Sequence, residues 1–290
     1  LSQPPSVTLL AGPTASGKSA LALKMARETG AVIVNADSQQ LYADLRVLTA
    51  RPSLEEEAEA DHRLYGVVDA AEAWSVGKWS RAALDLLDAL GAEGRPAILV
   101  GGTGLYFTAL TRGLADIPPV PEGVRDAVEA DYQDQGEALF RARLAEIDPE
   151  SARAIEQGDR QRLVRAMSVH AASGRALSGW KAETRPLLES GSWRGLVIEP
   201  ERQALYANCD RRVDLMMDQG ALDEVQMLAA RGLDANLPAM KAVGVRELAA
   251  YLAGDLDRTT AVDALKQATR NYAKRQLTWF RNQTADWTRV

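Results

Sequence analysis

SVTLLAGPTASGKS, residues 6–19, decides the fold. Its first six residues form an apolar run of strand length, which Gly12 ends in a turn. From Lys18 to Thr29 apolar residues recur at helical spacing, and Gly30 is placed to cap that helix. The turn between them reads G-x-x-x-x-G-K-S, a chance match to which has a probability on the order of 1% in a chain of this length. Strand, glycine-rich turn and helix in that order make a phosphate cradle, because glycines let the backbone approach an anion while loop and helix amides point at it. Gly12, Pro13, Thr14, Ala15, Ser16, Gly17, Lys18 and Ser19 are therefore the candidate phosphate- or diphosphate-binding residues. Lys18 adds a mobile charge, and the Ser19 hydroxyl is placed to reach a magnesium ion.

Outward from this stretch, residues 31–36 (AVIVNA) read as a second buried strand with Asp37 at its carboxyl end. Residues 97–100 (AILV) read as a third, followed by Gly101 and Gly102. Strands alternating with helices predict an α/β fold, a P-loop parallel sheet flanked by helices. Ligands bind such sheets at the carboxyl ends of strands, so segments 12–19, 37–40 and 101–104 converge on one rim. Near Asp116 the character changes: the turn-rich IPPVPEG leads into charged helical sequence as far as Ser190. This predicts an all-helical insertion domain, 116–190, inside a core made of 1–115 and 191–290. Residues 196–198 (LVI) return to the sheet, and helices are expected over 201–219, 222–230, 240–252 and 259–282.

The net charge of −6 excludes nucleic-acid binding driven by bulk charge, although two basic clusters stand out. One comprises Arg153, Arg160, Arg162, Arg165 and Arg175; the other spans 258–290, with seven Lys or Arg against two Asp. Such clusters are usually solvated helix faces, and phosphate backbone is their natural partner if they face one. The single Cys209 excludes a disulfide framework, and His62 and His170 lack metal-ligand spacing. No apolar run is long enough to cross a bilayer, and residues 1–12 lack a signal-peptide pattern, so no membrane association and a cytoplasmic location are expected.

A nucleotide kinase or hydrolase usually places an acid at the end of a buried strand to help hold magnesium. Here the third strand ends in Val100-Gly101-Gly102-Thr103-Gly104 without a carboxylate, and the acid follows the second strand instead. By residue type alone Asp37 is equally a metal ligand, a strand-end cap or a general base.

Beyond the P-loop, NADSQQLY (35–42), TARP (49–52), VGGTGLY (100–106), DRQRLVRA (159–166), RRVDLMMDQGALDEV (211–225), KAVGVRE (241–247) and ATRNYAKRQLTWFRN (268–282) follow one another. In this order they resemble the tRNA dimethylallyltransferases, also called tRNA isopentenyltransferases, over nearly the whole chain. The resemblance implies that the loop cradles the diphosphate of dimethylallyl diphosphate, although the motif commonly carries an ATP-binding label. The prenyl group would pass to N6 of the adenine 3′-adjacent to the anticodon in tRNA. It also implies Asp37 as general base, Thr103 as the residue that orients the base or touches the reacting adenine, and Arg212 as the arginine that meets the leaving charge, with Mg2+ at Ser19.

The adenine would be flipped into the crevice and read by Ser38, Gln39 and Gln40 beside Asp37 and Thr103. The anticodon stem-loop would be gripped by Arg125, by Gln161, Arg162, Leu163, Val164 and Arg165, by Lys241, Ala242, Val243, Gly244, Val245 and Arg246, and by Lys274 and Arg275. A monomer is expected. The chain departs from the family pattern at Leu48, where glycine is common, at Arg51, where lysine is, and at Glu156-Gln157-Gly158, where His-Pro-Asn is. A small-molecule kinase, a transferase acting on free adenine nucleotides and a non-catalytic RNA-binding module are the competing readings.

Overall fold

The computed structural model describes residues 6–290. Along the chain these form β1 (Val7–Ala11), α1 (Lys18–Thr29), β2 (Val32–Asn35), α2 (Leu54–Glu59), β3 (His62–Arg63), α3 (Val76–Ala92), β4 (Ala97–Gly101) and α4 (Gly104–Arg112). There follow α5 (Glu122–Ile147), α6 (Pro149–Ala154), α7 (Arg160–Ser173) and α8 (Leu177–Lys181). The chain then runs through β5 (Trp193–Val197), α9 (Arg202–Asp218), α10 (Ala221–Ala230), α11 (Val245–Leu252), α12 (Arg258–Gln283) and β6 (Thr288–Arg289). It divides into two compact units, passing from the first to the second after Thr111 and returning at Leu188. The corresponding bounds expected from sequence are 116 and 190.

In the first unit six parallel strands form one sheet in the order β3-β2-β4-β1-β5-β6. Its central strands β1, β2 and β4 are buried throughout, as a parallel sheet covered on both faces requires. Alternate residues divide between two cores. Leu9, Val34 and Leu99 join Trp79 and Phe107 on one side, while Leu10, Ile33 and Ile98 pack on Ala22, Leu23 and Ala26 of α1 on the other. Cys209 is a buried residue of α9.

The edge strands β3 and β6 have two residues each, too few to leave a periodic signal in the sequence. The helix expected over 240–252 is divided into a 3-10 turn at Ala239–Lys241 and α11. Gly244, with φ of 100°, makes the break, and Leu48 and Leu265 close on it so tightly that a Cβ there would lie 2.8 and 2.7 Å from them.

The second unit is helical, with a core that includes Phe140, Leu144, Leu163 and Val169. Asp148 ties it together, accepting from Ser151 N and Ser178 N at 3.0 Å each. Burial alone would raise this carboxyl, but the hydrogen bonds from Ser151 and Ser178 outweigh it and hold the group at about 2.

Candidate active site

The P-loop gets its shape from two left-handed residues, Ala15 (φ 61°) and Gly17 (φ 86°). Gly17 caps α1 without a side-chain hydrogen bond, leaving the first amides of the helix directed into the loop. Lys18 is buried, and its Nζ donates to Pro13 O at 3.3 Å. Burial pushes its pKa down to about 8, opposed by the Asp37 carboxylate and reinforced by the Arg212 guanidinium. Arg212 Nε and Ser16 Oγ are enclosed with no acceptor or donor among the described residues. The amide of Thr14 differs from the rest of the loop: it donates to Gln276 Oε1 at 2.8 Å, so it is not available to an anion.

Asp37 leaves β2 through a tight side-chain turn. Asn35 Oδ1 accepts from Asp37 N at 2.8 Å, and Asn35 Nδ2 donates to Asp37 O and Leu64 O at 3.0 Å each. Trp79 Nε1 closes the set by donating to Asn35 O at 3.0 Å. The Asp37 carboxylate is buried, and Oδ1 accepts from Gln39 N at 3.0 Å. Thr103, at the end of β4, accepts from Ser38 N at 2.9 Å through its hydroxyl and reaches Ser38 Oγ at 3.2 Å. Tyr272 of α12 lines the site beside Asp37 and Gln39, and burial, then the Asp37 carboxylate, raises its pKa far enough to keep it protonated.

A cavity of about 480 Å³ joins these parts, lined by residues 14–19 of the loop, Asp37, Gln40, Arg212 and Met216. Beside it lies a narrow neck where Thr14, Asp37, Arg212 and Tyr272 meet the apolar Leu48, Val243 and Leu265. The far wall is the segment 46–51. Glu224 of α10 holds it, its carboxylate accepting from Arg46 N at 2.8 Å, Val47 N at 2.7 Å and Leu48 N at 2.9 Å. Glu224→Ala leaves three amides without their acceptor and is expected to destabilise the fold by about 1–3 kcal/mol. Urea unfolding measures this, and an unchanged midpoint would show that water serves these amides equally well.

Several sequence expectations are narrowed by this geometry. Gln40 donates from Nε2 to Thr49 O (2.9 Å) and Ala50 O (2.7 Å), so its amide protons hold the wall and are not free to read a base. Gln39 Oε1 accepts from Val243 N at 3.1 Å, fastening the 241–246 segment to the site. Within that segment Lys241 and Arg246 are exposed, whereas Ala242, Gly244 and Val245 are buried. Leu163 is fully buried in the helical core, so its side chain presents nothing to a ligand. Arg51 donates to Tyr42 O (3.3 Å) and Ala43 O (3.2 Å), a local brace.

In the second unit Arg125, Gln161, Val164 and Arg165 line one open groove of about 950 Å³ together with Glu156, Gln157 and Gly158. Arg160, Arg162 and Arg175 are paired with Glu129, Asp159 and Glu183, but Arg125 and Arg165 have no acid partner among the described residues. On α12 and after it, Lys266, Arg270, Arg281 and Arg289 are paired with Asp214, Asp210 and Glu199. Lys274 and Arg275 are exposed and, among the described residues, without a carboxylate. Trp287 is buried against Trp193 and Phe107, so it does not offer a stacking face.

Asn35, Glu224, Tyr272 and Gln276 do not stand out from sequence. For the last two a signal exists: both are polar residues on the helix side that also carries Leu265, Ala273, Leu277 and Phe280.

A P-loop with its lysine, a second cation and a carboxylate around one cavity defines a group-transfer enzyme of the P-loop class. The chain belongs to the IPP transferase family, whose model matches residues 40–283. It is 60% identical over 284 residues to a tRNA dimethylallyltransferase of Caulobacter sp. (strain K31), covering 98% of this chain and 92% of the relative. Among solved structures it resembles the tRNA isopentenylpyrophosphate transferase of Bacillus halodurans, at 33% identity and a TM-score of 0.69, covering 98% and 89% of the two chains. A eukaryotic dimethylallyltransferase acting on tRNA shares the fold with a TM-score of 0.83 at 23% identity, covering 98% of this chain and 73% of that one.

Proposed function

We propose that this chain transfers a dimethylallyl group from dimethylallyl diphosphate to N6 of the adenine 3′-adjacent to the anticodon in tRNA, releasing diphosphate. The observation that carries the reading is the placement of a buried carboxylate, Asp37, across one cavity from Lys18, Arg212 and the loop amides. In the reaction the bond between N6 and C1 of the prenyl group forms as the C1–O bond breaks. The electron pair leaves on the diphosphate, and the N6 proton passes to Asp37. Thr103 holds Ser38, and Gln39 N donates to the Asp37 carboxylate, so the carboxylate keeps its aim. Lys18, Arg212 and the amides beyond Thr14 meet the charge that develops on the leaving group. Val47, Leu48, Leu215 and Met216 supply an apolar wall for the prenyl tail.

The Ser19 hydroxyl is exposed at the cavity, while no cluster of three or more His, Cys, Asp or Glu suited to a metal occurs among the described residues. This donor set fits Mg2+ arriving with the diphosphate, held by Ser19 and by phosphate oxygens. Bound there, it would neutralise charge on the leaving group. The relatives' names support tRNA as the acceptor, as does the groove bearing Arg125 and Arg165 in the second unit. No described helix is long and apolar enough to cross a membrane. We take the working form to be a monomer.

Incubation with unmodified tRNA and labelled dimethylallyl diphosphate, beside an ATP turnover assay, tests the reading. Label in tRNA without ATP consumption is expected; ATP turnover without label would sustain the kinase reading instead. Reversing Arg125 and Arg165 to Glu is expected to weaken tRNA binding and reduce the salt slope by about 1 for each phosphate no longer neutralised. An unchanged slope in a filter-binding titration would take these arginines off the interface.

A further inference from the structure

Gln276 is a buried polar side chain, 5% exposed, among the buried apolar residues of α12. Its Oε1 accepts from Thr14 N at 2.8 Å, and its Nε2 donates to Gly102 O at 2.9 Å. These two backbone groups lie just beyond β1 and β4, neighbouring strands whose register ends at Ala11 and Gly101. Past that register the ladder no longer joins the two turns, and the Gln276 amide does. Gly102 is required for the approach: a Cβ there would lie 2.1 Å from Gln276 Nε2 and 3.2 Å from Asp37 Oδ2. One turn earlier on α12, Tyr272 lines the neck of the site beside Asp37 and Gln39.

We propose that Gln276 is a positioning residue for the transfer, fixing the distance between the diphosphate cradle and the turn that carries Thr103 beside Asp37. The assignment rests on the reaction proposed above. An amide suits the task because it offers one acceptor and one donor at once, whereas a carboxylate accepts only and a hydrocarbon does neither. Without the bridge the two turns separate, and a misplacement of about 1 Å between reacting groups costs on the order of 100-fold in rate.

Gln276→Glu provides the test. Ionised, it keeps the bond from Thr14 N but faces Gly102 O with a second acceptor; protonated, it restores both bonds. Its turnover at pH 8 is expected to fall about 100-fold. The ratio of variant to wild type should recover as pH drops through the range where a buried carboxyl protonates, about pH 5–7. The affinity for inorganic pyrophosphate, read by calorimetry as the same ratio, should follow that pH course. A purely structural contribution would lower thermal stability and leave a pH-independent deficit. Such a flat ratio, or wild-type turnover and pyrophosphate affinity in the variant, overturns the proposal. If the wild type transfers no label to tRNA, the reaction reading fails, while the pyrophosphate ratio still decides the bridge.

Discussion

Asp37→Asn is expected to lower prenyl transfer by about 10²–10⁴-fold, the contribution usual for a positioned general base. The amide keeps an acceptor for Gln39 N and nearly the same volume, so the turn made by Asn35, Asp37 and Gln39 stays in place. What it loses is the capacity to take a proton from N6. The neutral side chain also removes an attraction that favours the charged form of Lys18, so pyrophosphate should bind somewhat less well at alkaline pH. Single-turnover transfer with saturating tRNA separates the two effects. A variant with full turnover would leave Asp37 as a strand-end cap, one of the roles its residue type permits.

Lys18→Ala is expected to cost about 10²–10³-fold in turnover, because one preorganised charge is removed from the leaving group in a partly dry cavity. In the wild type the same residue sets a pH dependence. Burial holds its folded-state pKa at about 8, so the charge is present below that pH and is lost as pH rises through it. Pyrophosphate affinity should therefore weaken above about pH 8. Lys18→Arg, which does not titrate there, should remove that alkaline limb. Calorimetry over this range checks both, and an identical limb in the arginine variant would assign it to another group.

Much of the frame is legible in the residues themselves. β1, β2 and β4 are short apolar runs closed by glycine, asparagine or proline, and buried parallel strands leave that trace because both of their faces are covered. The rim is legible too, since the motif at 12–19 and the acid at 37 each stand at a strand end. Long-range hydrogen bonding is not. Nothing local to Glu224 announces that its carboxylate caps amides 176 to 178 residues away. Gln40 reads as a recogniser of bases because its residue type suits purine edges, yet its amide protons hold Thr49 and Ala50. Charge at the end of the chain behaves the same way. Seven cations suggest a broad basic face, but Asp210, Asp214 and Glu199, distant in sequence, neutralise four of them.

The sheet order also bears on how the chain is made. β1 lies between β4 and β5, and β5 is separated from it in sequence by the whole helical unit. During synthesis the half-sheet β3-β2-β4-β1 can pair as soon as β4 has emerged, but β1 then has an open edge until residues 193–197 follow. An open, apolar strand edge is a template for pairing with other chains. The helical unit, continuous from Arg112 to Leu187, requires no residue made later and can fold while that edge waits. The phosphate cradle begins at the end of this strand, so residues made before the helical unit acquire their working geometry after it.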